Sequence, residues 1–293
     1  MAQFSDCLRR SRIALSLLPV PGDTVRSLMI TSTGFRTAYA LHRAAEGRGS
    51  GGEGELLSLP YLRQGGLSRQ WAVRARSYEC FMKTVVAPLA RELQRPLRVL
   101  DLGAGNGWLC FRLAREGHSP LALDWRRDTV DGLGAGGRYR AHLPRMFARV
   151  AASFEDLPIK TRFDVVVFNA ALHYTVNLRR TLQLAAQVTR PGGRVVVLDS
   201  PFYQRESDGE RMVAEKRRAM LREAGPRAAE LLALPAIEYL TPARLADAST
   251  GTPLTWNHRR VRYPIWYELR AILARLRRRR PPSRFDLWEA SVP

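Results

Sequence analysis

The chain has 293 residues, 45% of them apolar, and 47 basic against 27 acidic residues, a formal net charge of +20. That length holds one large α/β domain with additions, or two small domains, and the apolar fraction supplies a real core, which excludes a disordered chain. No run approaches the roughly 18 apolar residues of a membrane-spanning helix, and three widely spaced cysteines, Cys7, Cys80 and Cys110, fit neither a disulfide framework nor a zinc site, so they read as reduced thiols with Cys110 in the core.

Residues 1–66 form an N-terminal extension with few acids and many arginines, broken by a glycine-rich stretch from Gly47 to Gly54 that reads as a flexible loop. No structure is predicted there. Its Arg9–Arg10 pair is compatible with a twin-arginine export signal, and its acid-poor beginning with a transit peptide. The domain proper is expected over 67–293. From Ser68 to Leu93, apolar residues including Trp71, Tyr78, Phe81, Val85 and Leu89 recur at helical spacing, with a kink expected near Pro88.

Next comes an alternation: a strand (Arg98 to Leu102), a glycine turn, a helix (Trp108 to Glu116) and a strand (Pro120 to Asp124). A strand from Phe163 to Asn169, a helix from Leu178 to Val188, a Pro191-Gly192-Gly193 turn and a strand from Arg194 to Asp199 continue it. Strands alternating with helices in this order predict an α/β fold, a doubly wound, mostly parallel sheet with flanking helices. Residues 201–293 add helices near 206–224 and 241–248, a strand near 254–257, a basic amphipathic helix over 265–280 and a closing strand over 284–292.

The sharpest local feature is Val99 to Cys110, VLDLGAGNGWLC, where an apolar strand carrying Asp101 runs into Gly103, Gly105 and Gly107 before a helix begins. Alternate glycines let a backbone turn tightly and approach a ligand without Cβ clashes. A dinucleotide fingerprint needs glycine three residues after the second one, and that position is Trp108.

This segment resembles the first motif of the class I S-adenosylmethionine-dependent methyltransferases, an acid followed by three alternating glycines. Phe163 to Tyr174, FDVVVFNAALHY, is similar to the family's fourth strand and the loop after it, and Pro191 to Val197, PGGRVVV, to its turn into the fifth. The resemblance covers about residues 95–200 and implies a Rossmann-like sheet with an antiparallel last strand. It implies S-adenosyl-L-methionine as cofactor, with Gly103, Gly105 and Gly107 at its methionine part and Asp101 ordering the loop. Asp124 would accept hydrogen bonds from the ribose hydroxyls and Trp125 would face the adenine. In ASFEDLPI, Ser153 and Phe154 stand where the family has an acid and an alanine, so a carboxylate contact to the adenine amine becomes a hydroxyl or backbone contact. The supply of such a cofactor favours the cytosol.

Asn169 closes the fourth strand, where both cofactor and acceptor approach. It is followed by Ala170-Ala171-Leu172 rather than the Pro-Pro-aromatic of amino-methyltransferases, which argues against adenine-amine and glutamine-amide acceptors. No Pro-Cys pair offers a nucleophile for pyrimidine carbon. His173 and Tyr174 follow and are the candidate catalytic residues: an imidazole can take a proton from a hydroxyl acceptor, or position and pack, and Tyr174 can shape the pocket. Arg74, Arg76 and Tyr78 could close over the cofactor, with packing and a solvated face as the alternative. Tyr203, Trp256 and Tyr267 read as core aromatics that could also line an acceptor pocket.

In the helix over 265–280, Ile265, Trp266, Leu269, Ile272, Leu273 and Leu276 make one apolar face and arginines load the rest. This face is expected to pack on the sheet, and an anionic membrane surface is the alternative. The expected activity is methyl transfer to a small-molecule or lipid-like acceptor. The basic charge keeps a nucleic-acid acceptor open, and a non-catalytic protein with this fold is the third reading.

Overall fold

A computed structural model describes residues 33–45, 47, 52–225, 228–233 and 235–293. The Arg9–Arg10 pair, the transit-like beginning, Cys7 and residues 48–51 of the glycine-rich stretch lie outside the described residues. The chain opens with helices α1 (Thr33–Ala45), α2 (Glu53–Ser58) and α3 (Ser68–Phe81), passes through a π-helical turn (Met82–Val86), and continues into α4 (Ala87–Leu93). Then follow β1 (Arg98–Leu102), α5 (Trp108–Arg115), β2 (Ser119–Asp124), a 3-10 helix (Ala135–His142), β3 (Ala148–Ala151) and β4 (Phe163–Asn169). A short 3-10 turn (Leu172–Tyr174) leads to α6 (Leu178–Gln187), β5 (Thr189–Leu198), α7 (Glu206–Ala224), α8 (Ala228–Ala233) and α9 (Pro242–Ser249). β6 (Thr255–Arg259), α10 (Ile265–Leu276) and β7 (Leu287–Ser291) finish it.

The seven strands form one sheet in the order β3-β2-β1-β4-β5-β7-β6, with β1 to β5 parallel and β7 antiparallel to both β5 and β6. The central strands are apolar without alternation, Val165 to Phe168 and Val195 to Val197 being fully buried, because helices cover both faces. Strand order reverses between β1 and β4, which pair as Val99 with Val165 and Asp101 with Val167. In open parallel sheets the connections after such a pair diverge and leave a crevice at the carboxyl ends.

Four expectations need correction. Helices α1 and α2 occupy a stretch with no predicted structure; α1 has an apolar stripe, but its flanking composition masks it. β3 escaped because a four-residue edge strand with Arg149 in it has no run to recognise. The break in the first long helix falls at the π turn, upstream of Pro88, which sits in the first turn of α4 where its missing N–H is harmless. Finally, α10 does not pack its apolar face on the sheet. β6 pairs directly with β7, so the connection between them is an extended hairpin rather than a crossover, and only Tyr267 of α10 is buried. Among the described residues no helix is long and apolar enough to cross a membrane.

Candidate active site

The glycine loop after β1 is shaped by three different demands. Gly103 (φ 78°) stands so close to Ala171 that a Cβ would lie 2.5 Å from the alanine's own, so this glycine serves packing of the loop against the β4 turn. Gly107 (φ 76°) caps α5 against Phe147. Gly105 (φ 55°) differs: a Cβ there would meet only the Asp131 carbonyl oxygen at 3.6 Å, so the loop is open on that side. Asp124, at the end of β2, holds the loop through Oδ2, which accepts the Gly105 N–H at 2.8 Å, while Oδ1 accepts the Arg126 N–H at 2.8 Å. Burial pushes its carboxyl above the usual range, opposed by those two backbone donors.

Asp101 is fully buried, and the Cys110 thiol donates to its Oδ2 at 3.7 Å. Its Oδ1 has no hydrogen-bond partner among the described residues. Removal from water pushes this carboxyl up to about 7, a shift the Cys110 contact only tempers. An orphaned buried carboxylate oxygen beside an open glycine loop is a place built for a polar or cationic ligand group.

Beyond Asp124 the half-buried Trp125 lies 5.8 Å from the ring of Tyr39, which α1 brings down onto this edge. The guanidinium of Arg126 stands 5.2 Å from the same ring. Arg43 and Arg126 both donate to Asp131, at 3.0 and 3.1 Å, and Asn106 of the glycine loop reaches the other Asp131 oxygen at 3.4 Å. Asp131 thus ties α1 to the loop. On the neighbouring segment Ser153 Oγ accepts the Glu155 N–H at 3.2 Å, and Phe154 packs edge-on to Phe168, beside Gly103. Glu155 is buried and accepts from the Thr175 hydroxyl and the Val176 N–H, at 2.7 and 2.6 Å, fixing the turn after β4.

The other half of the edge centres on Arg74 of α3. Its guanidinium donates to Asp199 Oδ2 at 3.2 Å and to Asn169 Oδ1 at 3.3 Å, and it lies 4.6 Å from the ring of Trp71 and 5.5 Å from that of Trp108. Asp199 follows β5 with φ 51°, and burial raises its carboxyl against the pull of Arg74 and the Ser77 hydroxyl. Ser77 in turn shares a hydrogen bond with Tyr263 at 3.2 Å. His173 Nδ1 lies 3.3 Å from Ser200 Oγ, and its ring is 4.2 Å from that of Tyr174, which is 37% exposed at the rim. Burial, followed by the charges of Lys216 and Arg74, lowers the His173 pKa to about 3, so the imidazole is neutral.

A segment before α9 pins this loop: the Ile237 N–H donates to the Thr175 carbonyl and the Glu238 N–H to that of His173, both at 2.9 Å. Tyr239 is seated flush against Gly209 of α7, where a Cβ would collide with its ring, and its hydroxyl donates to Glu206 at 2.7 Å.

The carboxyl edge therefore gathers Asp101, Gly103, Gly105, Asp124, Trp125, Phe154, Asn169, His173 and Tyr174, with Ser153 on the adjoining segment. Of the three residues considered on α3, Arg74 reaches the site, whereas Arg76 is exposed against Glu79 and Tyr78 packs on Trp108 and Tyr61. Tyr203 and Tyr267 are buried, and Trp256 is half-buried with its indole N–H on Ser249 at 2.7 Å. Sequence reading missed Tyr39, Asp131 and Asp199 as site residues. Asp199 carried a signal: like Asp124 and Asn169, it is a polar residue closing an apolar run.

A parallel sheet whose crevice is lined by a glycine loop and strand-end acids defines a nucleotide-type ligand site. Residues 74–240, more than half of the chain, match the family described as "Methyltransferase domain". The chain belongs to that family, the class I S-adenosylmethionine-dependent methyltransferases. It is 31% identical over 116 residues to tRNA 5-carboxymethoxyuridine methyltransferase of Escherichia coli K12, and 34% over 115 residues to demethylmenaquinone methyltransferase of Clavibacter sepedonicus. Each match takes in 39% of this chain and only 43% of the relative. Among solved structures, 1,6-didemethyltoxoflavin-N1-methyltransferase of Burkholderia thailandensis superposes with a TM-score of 0.51 at 18% identity, over 95% of this chain and 93% of that one, a likeness of fold.

Proposed function

We propose that this enzyme methylates a small-molecule or lipid-like acceptor by in-line displacement, with the cofactor along β1 and β2 and the acceptor over β4 and β5. The observation that carries this reading is the roof. Arg74 of α3 reaches down to Asn169 and Asp199, and Tyr39 of α1 rests on Trp125, so the chain's own helices cover the edge that a polymer would need open.

The residues present fit S-adenosylmethionine: the orphaned Asp101 oxygen and the open side of Gly105 suit its methionine part. Asp101, Gly103, Gly105 and Gly107 would hold that part, Asp124 the ribose hydroxyls, Trp125 with Ser153 and Phe154 the adenine, and Asn169 the floor beneath the sulfonium. When bound, the cofactor supplies a methyl group already activated on sulfur, so the protein's task is alignment and exclusion of water. Arg74 orients the Asn169 amide and neutralises Asp199. His173, neutral and held by Ser200, offers the acceptor a hydrogen-bonding nitrogen rather than a charge, and toward a hydroxyl acceptor that nitrogen takes the proton only as the oxygen gives up its electrons to the methyl. Tyr174 shapes the rim.

A tRNA acceptor is the second reading, favoured by the relative from Escherichia coli and by the +20 charge. Incubating the purified chain with methyl-labelled S-adenosylmethionine and cell extract, then separating organic-extractable, protein and nucleic-acid fractions, decides between them. Label in the organic fraction is expected. Label confined to RNA would replace this reading with the second.

A further inference from the structure

Helix α10 leaves a complete apolar face in solvent. Ile265, Trp266, Leu269, Ile272, Leu273 and Leu276 are each between 41% and 80% exposed, and their spacing of one, three and four residues puts them on one stripe about 120° wide. The helix is held from the opposite side, by the buried Tyr267 with its hydroxyl on the Ser283 carbonyl and by Glu268 against Arg284. Arg270, Arg275 and the run Arg277 to Arg279 are exposed around the stripe, whereas Arg280 turns inward to Glu215 and Tyr203. The one acid of the helix, Glu268, is already engaged, so the free charge beside the stripe is wholly positive.

We propose that α10 is a docking surface for an anionic lipid bilayer, lying in the headgroup plane with its aliphatic stripe inserted and its arginines on lipid phosphates. Three features favour that occupant. A contiguous band of isoleucine and leucine gains nothing against RNA, whose backbone offers charge but no apolar phase, yet inserts readily between acyl chains. A second copy of the helix laid parallel on the band would bring two arginine clusters together, whereas lipid phosphates neutralise them in any orientation. Trp266, at the edge of the stripe with Arg69 at 5.8 Å from its ring, combines an apolar body with a polar N–H as interfacial tryptophans do. This surface does not depend on the identity of the methyl acceptor.

The test is flotation of the full chain with phosphatidylcholine vesicles with and without phosphatidylglycerol. Binding to the anionic vesicles is expected, weakening as salt is raised, together with little binding to pure phosphatidylcholine. The double variant Leu269→Glu/Ile272→Glu should lower partitioning at least about tenfold with an unchanged melting temperature, since neither side chain supports the fold. Replacing Arg277, Arg278 and Arg279 with alanine should weaken binding to anionic vesicles only. Failure to bind anionic vesicles at low salt, or binding that the double variant leaves intact, overturns the proposal. So does a double variant whose effect is instead to dissociate a dimer in sedimentation or to lose RNA retention.

Discussion

The two halves of the sheet's carboxyl edge are built in different ways. On the half proposed for the cofactor, the contacts that shape the glycine loop and the turn after β2 join residues within about twenty positions, Asp124 to Gly105 and Arg126, and Asp128 to the N–H groups of Val130, Asp131 and Gly132, with Arg43 and Tyr39 of α1 added from a distance. On the acceptor half they join distant ones: Arg74 to Asp199 and Asn169, Ser77 to Tyr263, and residues 237 and 238 to the turn after β4. A short motif can specify the first arrangement by itself. The second exists only once α3, β5 and the segment before α9 have assembled, so it can vary without disturbing the cofactor loop.

The sharpest way to break this contrast is a pair of glycine variants on the cofactor half. Gly105→Val meets no protein atom closely, so it should retain the fold at a strain of about 1–3 kcal/mol while abolishing S-adenosylmethionine binding in calorimetry. Gly103→Val collides with Ala171 and should instead lose about 3 kcal/mol or more of stability in denaturant melts. If Gly105→Val binds the cofactor normally, the site is misplaced.

Arg74→Met tests the acceptor half. Burial already raises Asp199, so losing its cation should be met by protonation, and the stability loss should fall below the roughly 3–5 kcal/mol of an ordinary broken buried pair. Turnover should drop while the dissociation constant for S-adenosylmethionine changes little. Asp124→Ala should weaken cofactor binding by about 1–3 kcal/mol through lost charge-assisted hydrogen bonds, and leave acceptor KM unaffected.

Asp101 gives a pH signature. Its carboxyl ionises near 3.8 when unfolded and near 7 in the fold, so between those values the native chain holds the extra proton. Stability of the ligand-free enzyme should therefore decline as pH rises from about 4 to about 7, and Asp101→Asn should flatten that part of a melting-temperature profile. The smallest effect is expected at His173: an imidazole ionising near 3 contributes no limb to a rate profile between pH 5 and 9. His173→Gln should slow the reaction without changing the shape of that profile.

How much of this was legible in the sequence follows the same division. VLDLGAGNGWLC named the loop and its strand, and the order of strands gave the sheet, because glycine spacing and apolar runs are local signals. Arg74 stood in a helix with two other plausible candidates, and only packing separated it from Arg76 and Tyr78. Tyr39 and Asp131 carry no motif at all; their roles come from α1 folding back over the loop. The α10 stripe was readable as amphipathic, but whether a sheet would receive it depended on β6 pairing with β7, which periodicity does not encode.

Gly209 lies outside the cleft yet supports, through Tyr239, the turn that carries the proposed acceptor residues. In the middle of an ordinary helix, alanine improves on glycine by about 1 kcal/mol. Here the added methyl would push Tyr239 off α7, and with it the strand-like segment that holds the His173 turn. Under the proposed function, the range of molecules accepted would thus drift through changes in helices that never touch them, while cofactor use stays constant. Gly209→Ala should register as altered preference among acceptors with unaltered affinity for S-adenosylmethionine.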